Sequence, residues 1–195
     1  MKVLDLFCGL GGWSRGFHDI LPNAEYYGLD IKDFGYPFNF IKADVNDWTP
    51  DQKYDIVLAS PPCTEFSELK RNTASHPYDE RIGLDLIWKT FNLISIIKPT
   101  YWLIENVRGL QEFIPDVREI IRYNKRKNGK AACLWGNFPT LGFFEEEIIY
   151  HPEYWHKKNG WDENNRAMRA LIPKALSRHL AQRISEELKY EGDSR

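Results

Sequence analysis

No run of apolar residues in the 195-residue chain approaches the ~20 that a membrane-spanning helix needs. At the N-terminus, Lys2 is followed by Val3-Leu4-Asp5-Leu6-Phe7, and Asp5 breaks the apolar stretch that a secretory leader requires. An excess of charge is also missing. The 26 basic and 28 acidic residues leave a formal net charge of −2, which excludes a globally basic nucleic-acid coat but not a local basic face. Cysteine is sparse: Cys8, Cys63 and Cys133 are odd in number and far apart. No pair has metal-site or thioredoxin spacing, no histidine cluster joins them, and a reducing, cytoplasmic setting is the expectation. Internal repeats and low-complexity linkers are absent. What remains is 43% hydrophobic, 28% charged and rich in aromatics at 14%, with seven Trp. That is the composition of a soluble globular protein, long enough for one domain and short for two.

Short apolar runs alternate with helical patterns. Val3–Phe7 reads as a strand ending at Gly9-Leu10-Gly11-Gly12, and a helix follows from Trp13 to about Ile20, closed by Pro22. Ala24–Leu29, Phe38–Ala43, Tyr54–Ala59 and Tyr101–Ile104 are four more strand candidates, ending in Asp30, Asp44, Ser60-Pro61-Pro62-Cys63 and Glu105-Asn106. The periodicity predicts helices over Ile82–Lys98, Asp116–Tyr123 and Lys174–Tyr190, and short late strands over Ala131–Trp135 and Glu146–Tyr150. The alternation predicts an α/β fold with a mostly parallel, twisted sheet. Five sets of polar residues then fall at strand C-terminal ends, the edge where open α/β sheets bind ligands.

The first strand, its glycine turn and the helix start resemble a nucleotide cradle, because glycine lets backbone N–H groups approach a ligand closely. A dinucleotide fingerprint needs G-x-G-x-x-G. Gly9 and Gly11 fit, but Ser14 holds the third position and Gly12 and Gly16 are off register, which weakens an NAD reading. Asp30 stands at the distance where an acid holds ribose hydroxyls, and Asp44 can accept from an exocyclic amine. A nucleoside cofactor without a pyrophosphate fits, and S-adenosylmethionine is the candidate. Its expected rim is Phe7, Gly9, Gly11, Gly12, Asp30, Asp44 and Pro62.

The second signal is Ser60-Pro61-Pro62-Cys63-Thr64-Glu65. Two prolines stiffen the chain and remove two donors, so Cys63 is presented on a rigid turn past a strand end. Cys8 and Cys133 lie among apolar neighbours and read as structural. A thiolate working on an electrophilic ring needs a carboxyl partner, and Glu105 ends the neighbouring strand after Trp102-Leu103-Ile104.

In this order, Asp5-Leu6-Phe7-Cys8-Gly9-Leu10-Gly11-Gly12, Asp30, Asp44, Pro62-Cys63 and Glu105-Asn106-Val107 resemble the motifs of the C5-cytosine-specific DNA methyltransferase family, over Met1 to about Leu110. Arg169–Leu176 resembles the closing segment of compact, phage-type members. The resemblance implies a Rossmann-like S-adenosylmethionine-dependent fold with helices on both sheet faces and a last helix packed beside the first motif. It also implies Cys63 as nucleophile at cytosine C6, Glu105 at N3 and the exocyclic amine, and DNA with a flipped cytosine as substrate. A tRNA-acting branch shares the Cys-Glu pair, so RNA is the alternative substrate, and a non-catalytic subunit of the same fold is a third reading. The implied organisation is one domain over 1–195. Cofactor and catalytic motifs occupy 1–110, a reduced recognition region 111–168 and the closing helix 169–190.

The family's usual Gln-x-Arg-x-Arg motif is absent, and Arg108, directly after Val107, is a cation that could serve in its place. Only about 60 residues separate Val107 from Arg169, so recognition is minimal or comes from a partner subunit. Arg118–Lys130 and Arg166–Arg183 are basic segments that could meet phosphates. Trp135, Trp155 and Trp161 could stack on bases, although packing is the commoner role for tryptophan, and Trp135-Gly136-Asn137-Phe138 reads as a turn. Thr64–Glu80 is polar and lacks periodicity, as a closing loop would.

Overall fold

Strand β1 (Lys2–Leu6) sends Val3 into one apolar layer and Leu4 and Leu6 into the other, the alternation of a strand covered on both faces. In the computed structural model, which describes residues 1–66, 79–122, 131–142 and 171–193, this strand lies inside a seven-stranded sheet. The others are β2 (Glu25–Asp30), β3 (Asn39–Lys42), β4 (Ile56–Ala59), β5 (Tyr101–Asn106), β6 (Glu119–Arg122) and β7 (Ala131–Asn137). Their spatial order is β3-β2-β1-β4-β5-β7-β6. The first five are parallel, and β7 runs antiparallel to both β5 and β6.

Helices cover both faces, as the fold class requires. On one face, α1 (Gly12–Ile20) and α3 (Lys174–Asp193) bury Trp13, Phe17, Leu176, Leu180 and Ile184 against Val3 and Leu103. The spacing Leu176, Leu180, Ile184 is the i, i+4 stripe of an amphipathic helix. The two helices approach closely because Gly16 has no side chain: a Cβ there would lie 2.4 Å from that of Ser177. The Ser177 hydroxyl donates to the Trp13 carbonyl, and Lys174 Nζ pairs with Asp19 at 2.8 Å. On the other face, α2 (Glu80–Ile97) packs Ile87, Leu93 and Ile94 over Leu4, Leu6 and Ile104. Asp79 caps it, accepting from the Arg81 N–H at 3.1 Å. It stops at Lys98, which is left-handed at φ 53, with Pro99 next.

Two sequence expectations are corrected here. Asp116–Tyr123 reads as a helix, but Glu119–Arg122 is strand β6. Val117, Ile120 and Ile121 mimic helical spacing, yet Ile121 is buried while Ile120 and Arg122 face out, a period of two fixed by pairing with β7. Trp135-Gly136-Asn137 is not a turn but the end of β7, and Trp135 is a core residue whose indole N–H donates to the Ile114 carbonyl at 3.0 Å. The expected strand Glu146–Tyr150, Trp155 and Trp161 lie outside the described residues. So do 67–78 of the polar loop, 123–130 of the first basic segment and 166–170 of the second. None of the described helices is long and apolar enough to cross a membrane.

The topology has a functional consequence. From β1 the chain moves outward to β2 and β3, then returns to the other side for β4 and β5. The order therefore reverses between β1 and β4, the switch point at which open α/β sheets form their ligand crevice outside the strands' C-terminal ends.

Candidate active site

The glycine turn after β1 occupies that crevice. It is built from residues in the left-handed region: Phe7 at φ 59, Gly9 at φ 50 and Gly11 at φ 76. The sheet grips it from both sides, Cys8 N–H donating to the Leu29 carbonyl at 3.2 Å and Ser60 N–H to the Leu6 carbonyl at 3.3 Å. The three glycines do different work. A Cβ on Gly9 would meet no atom within 4 Å, so the space beside it is open to a ligand. At Gly11 it would lie 3.0 Å from Pro37 and 3.2 Å from the Tyr36 ring, and at Gly12 2.7 Å from the Ile172 backbone nitrogen. Gly11 and Gly12 thus let the loop after β2 and the segment before α3 close onto the turn.

Asp30, at the end of β2, accepts the Gly9 N–H at 3.0 Å through Oδ2 and the Lys32 N–H at 3.3 Å through Oδ1. It is half-buried and ties the second strand end to the first. Asp44, just past β3, is exposed, and its carboxylate accepts the Asn46 N–H at 2.8 Å. The Ala43 N–H reaches the Asp30 carbonyl at 3.1 Å, so both acids belong to one continuous edge.

Beneath the turn is a buried polar chain. Asp5 is 1% exposed, and its Oδ2 accepts from Ser14 Oγ at 2.7 Å and Ser14 N–H at 3.3 Å. Ser14 Oγ shares a further hydrogen bond of 2.7 Å with the Tyr36 hydroxyl. Burial pushes the Asp5 carboxyl up to about 7, against the lowering effect of the Ser14 hydrogen bonds. Between pH 4 and 7 the folded protein holds a proton on Asp5 that the unfolded chain has released, so this group's stabilisation fades as pH rises through the window. From pH 4 to 7 the stability of the Asp5→Asn variant in urea unfolding is expected to rise relative to that of the wild type, the difference changing by about 2–4 kcal/mol across the window. Parallel curves for the two proteins would show that Asp5 titrates normally.

Across the crevice, β4 ends in Ser60-Pro61-Pro62-Cys63. The register that pairs Ala59 with Ile104 puts this turn beside the end of β5, where Glu105 sits half-buried. Asn106 fastens the two. Its amide donates to the Pro61 carbonyl at 3.1 Å, and its Oδ1 accepts the Val107 N–H at 2.9 Å. Beyond Cys63, the single 3₁₀ turn Thr64–Phe66 is closed by the Phe66 N–H to the Cys63 carbonyl at 3.1 Å. Gly109, in the 3₁₀ turn Arg108–Glu112, lies so close that a Cβ there would fall 1.9 Å from the Phe66 carbonyl oxygen. The Trp13 indole N–H donates to Ser60 Oγ at 3.0 Å and couples the same turn to α1.

The rim therefore runs Asp44, Asp30, glycine turn, Pro62-Cys63, Glu105 along five adjacent parallel strands, about 19 Å at the usual strand spacing. Among the thiols, Cys8 and Cys133 are buried and Cys63 is half-buried. Burial, then the Asp5 and Asp30 carboxylates, push the Cys8 thiol up; burial pushes Cys133 up to about 11. Both are poor thiolates, whereas Cys63 stands at the crevice. No cluster of three metal-binding side chains occurs among the described residues. Sequence reasoning missed Ser14, Tyr36 and the fastening role of Asn106. A polar residue directly after a strand-end acid was a visible signal for Asn106, but no short-range pattern marks Tyr36.

Comparison with known proteins adds the remaining facts. Residues 1–121 match the profile of the C-5 cytosine-specific DNA methylase family. A Methanocaldococcus jannaschii protein named as a candidate type II methyltransferase is 31% identical over 141 residues, covering 62% of this chain and 43% of its own. The type II methyltransferase M1.ScrFI of Lactococcus lactis subsp. cremoris is 30% identical over 118 residues, 56% of this chain and 29% of its own. A probable DNA (cytosine-5)-methyltransferase of Frog virus 3 is 26% identical over 160 residues, 69% of this chain and 70% of its own. The chain thus spans less than half the length of the first two relatives.

Proposed function

The chain belongs to the C-5 cytosine-specific DNA methylase family, and from that premise we propose that it transfers a methyl group from S-adenosylmethionine to C5 of cytosine in DNA through a covalent adduct on Cys63. The observation that carries the reading is the crevice between β1 and β4. A nucleoside-type cradle lies on one side of it, and a proline-stiffened thiol beside a half-buried glutamate on the other.

The donor set suits the cofactor. The open space at Gly9 admits it, Asp30 and Asp44 supply acceptors for ribose hydroxyls and adenine amine, and Phe7 offers an apolar wall. Bound there, S-adenosylmethionine supplies an electrophilic methyl group on a positive sulfur. The protein's own residues make the ring nucleophilic. The Cys63 thiolate adds to C6 of a cytosine turned out of the stack, forming a carbon–sulfur bond. The electron pair moves toward C5 and N3. Glu105 holds N3 and the exocyclic amine and offsets the charge that builds at N3. C5 would then take the methyl group as the methyl–sulfur bond breaks, the electron pair of that bond leaving on the neutral thioether of S-adenosylhomocysteine. Loss of the C5 proton to a base and elimination of the Cys63 thiolate restore the aromatic ring. Turning the base out costs a few kcal/mol, which contacts in the closed site must offset.

On this reading the whole chain is one methyltransferase domain, with cofactor and catalytic groups in 1–110 and α3 buttressing the cofactor turn. DNA is the proposed substrate because two of the relatives carry type II methyltransferase names and a third a DNA (cytosine-5) name. Labelled S-adenosylmethionine incubated with the protein and either plasmid DNA or tRNA separates the alternatives. Label in 5-methylcytosine of DNA is the expected result. Label confined to tRNA would move the substrate to RNA, and label in neither would overturn the activity.

A further inference from the structure

We propose that Arg108 binds a backbone phosphate of the substrate strand at the mouth of the Cys63 crevice, an inference that rests on the nucleic-acid reading above. The rim is acidic: Asp30, Asp44 and Glu105 all sit on it, on a chain of net charge −2. A polyanion brought to such an edge needs a fixed cation beside the reacting base. Arg15 donates to the Leu10 carbonyl, Arg81 pairs with Asp79, Arg178 with Asp19 and Arg183 with Glu186, while Arg118 lies over the Phe138 ring and Arg122 is on β6, at the far edge of the sheet from the glycine turn. Arg108 is exposed and makes no hydrogen bond or ion pair among the described residues. Its guanidinium is available to a ligand.

Its backbone is unusually well held for an exposed arginine. Val107 before it is fixed by Asn106, which is itself bound to Pro61 two residues from Cys63. Gly109 after it is pressed against the Phe66 carbonyl, three residues past Cys63. The Leu110 N–H closes the turn on the Val107 carbonyl at 3.1 Å. Arg108 is thus carried on a short turn clamped to the nucleophile's own loop on both sides. Cys133, paired with Asn106 across β5 and β7, senses both Arg108 and Glu105 electrostatically, so the two charges share one neighbourhood. The cation is in place to hold a phosphate while Glu105 engages the base. Arginine suits this task because its planar fork matches phosphate oxygens.

The test is anisotropy titration of a short fluorescein-labelled, cytosine-containing DNA duplex with the full chain at several salt concentrations, with cofactor affinity measured in parallel by calorimetry. Arg108→Gln is expected to weaken duplex binding about ten-fold at low salt. It should also flatten the slope of log affinity against log salt by about one, the loss of one phosphate contact. Arg108→Lys should keep the slope, and cofactor affinity should be unchanged in both. An Arg108→Gln protein with wild-type affinity and slope overturns the inference while leaving the function reading intact. A wild type that takes up the cofactor but shows no salt-dependent binding to the duplex overturns the DNA reading, and the role of Arg108 with it.

Discussion

Cys63→Ser is expected to lower methyl transfer by at least about a thousand-fold while leaving cofactor affinity unchanged. A serine hydroxyl is hardly ionised at neutral pH and is a far weaker nucleophile than a thiolate, and the chain's two other thiols are buried and cannot take over. Cys8 and Cys133 are buried, and their thiols are pushed up, so neither presents a thiolate. Cys8→Ala and Cys133→Ala should therefore retain activity, with at most the modest destabilisation of a small cavity. Cofactor binding should survive Cys63→Ser because the glycine turn, Asp30 and the Asp5–Ser14–Tyr36 chain do not depend on the thiol. The measurement is initial rates of label transfer, with calorimetry on the same preparations. Transfer by the Cys63→Ser protein at near wild-type rate would remove the covalent mechanism.

Asp30→Ala should weaken S-adenosylmethionine by roughly 1–3 kcal/mol, the loss of charge-assisted hydrogen bonds to ribose hydroxyls. The structure adds a second reason for a large effect. Asp30 also accepts the Gly9 N–H at 3.0 Å, so the variant releases the turn that forms the other wall of the pocket. Asp30→Asn keeps an acceptor for that N–H and loses only the charge, and its affinity should fall between wild type and Asp30→Ala. Isothermal titration of the three proteins decides. Equal affinities would place the cofactor elsewhere.

Much of this site was legible in the sequence, for reasons that differ along the chain. The parallel half of the sheet is written in short apolar runs, each ending in an acid, a glycine or a proline, and those residues stop strands whatever surrounds them. Asp5, Asp30, Asp44, Cys63 and Glu105 therefore all came to one edge of the sheet, in the order that the topology sets by placing β2 and β3 on one side of β1 and β4 and β5 on the other. The antiparallel half was harder. Glu119–Arg122 has no local preference strong enough to settle its type, and its partner is β7, whose paired residues lie nine to fifteen positions away. Tyr36 shows the limit more sharply. It lies in a loop with exposed neighbours on both sides, yet its ring fills the space left by Gly11 and Gly28 and its hydroxyl completes a buried chain to Asp5. Contacts of that kind depend on where the backbone of other elements happens to be, and no spacing in one sequence encodes them.

The central claim is that Cys63 attacks a cytosine ring that then takes the methyl group. A DNA duplex in which 5-fluorocytosine replaces cytosine tests it most directly, because fluorine at C5 cannot leave as a proton and the adduct is arrested after methyl transfer. Incubated with S-adenosylmethionine, the wild-type protein should form a denaturation-resistant complex carrying the transferred methyl group, with peptide mapping placing the link at Cys63. The Cys63→Ser protein should form none. Methylation of ordinary DNA by the wild type without any trapped complex on the fluorinated duplex, or a complex linked through Cys8 or Cys133, would contradict the account.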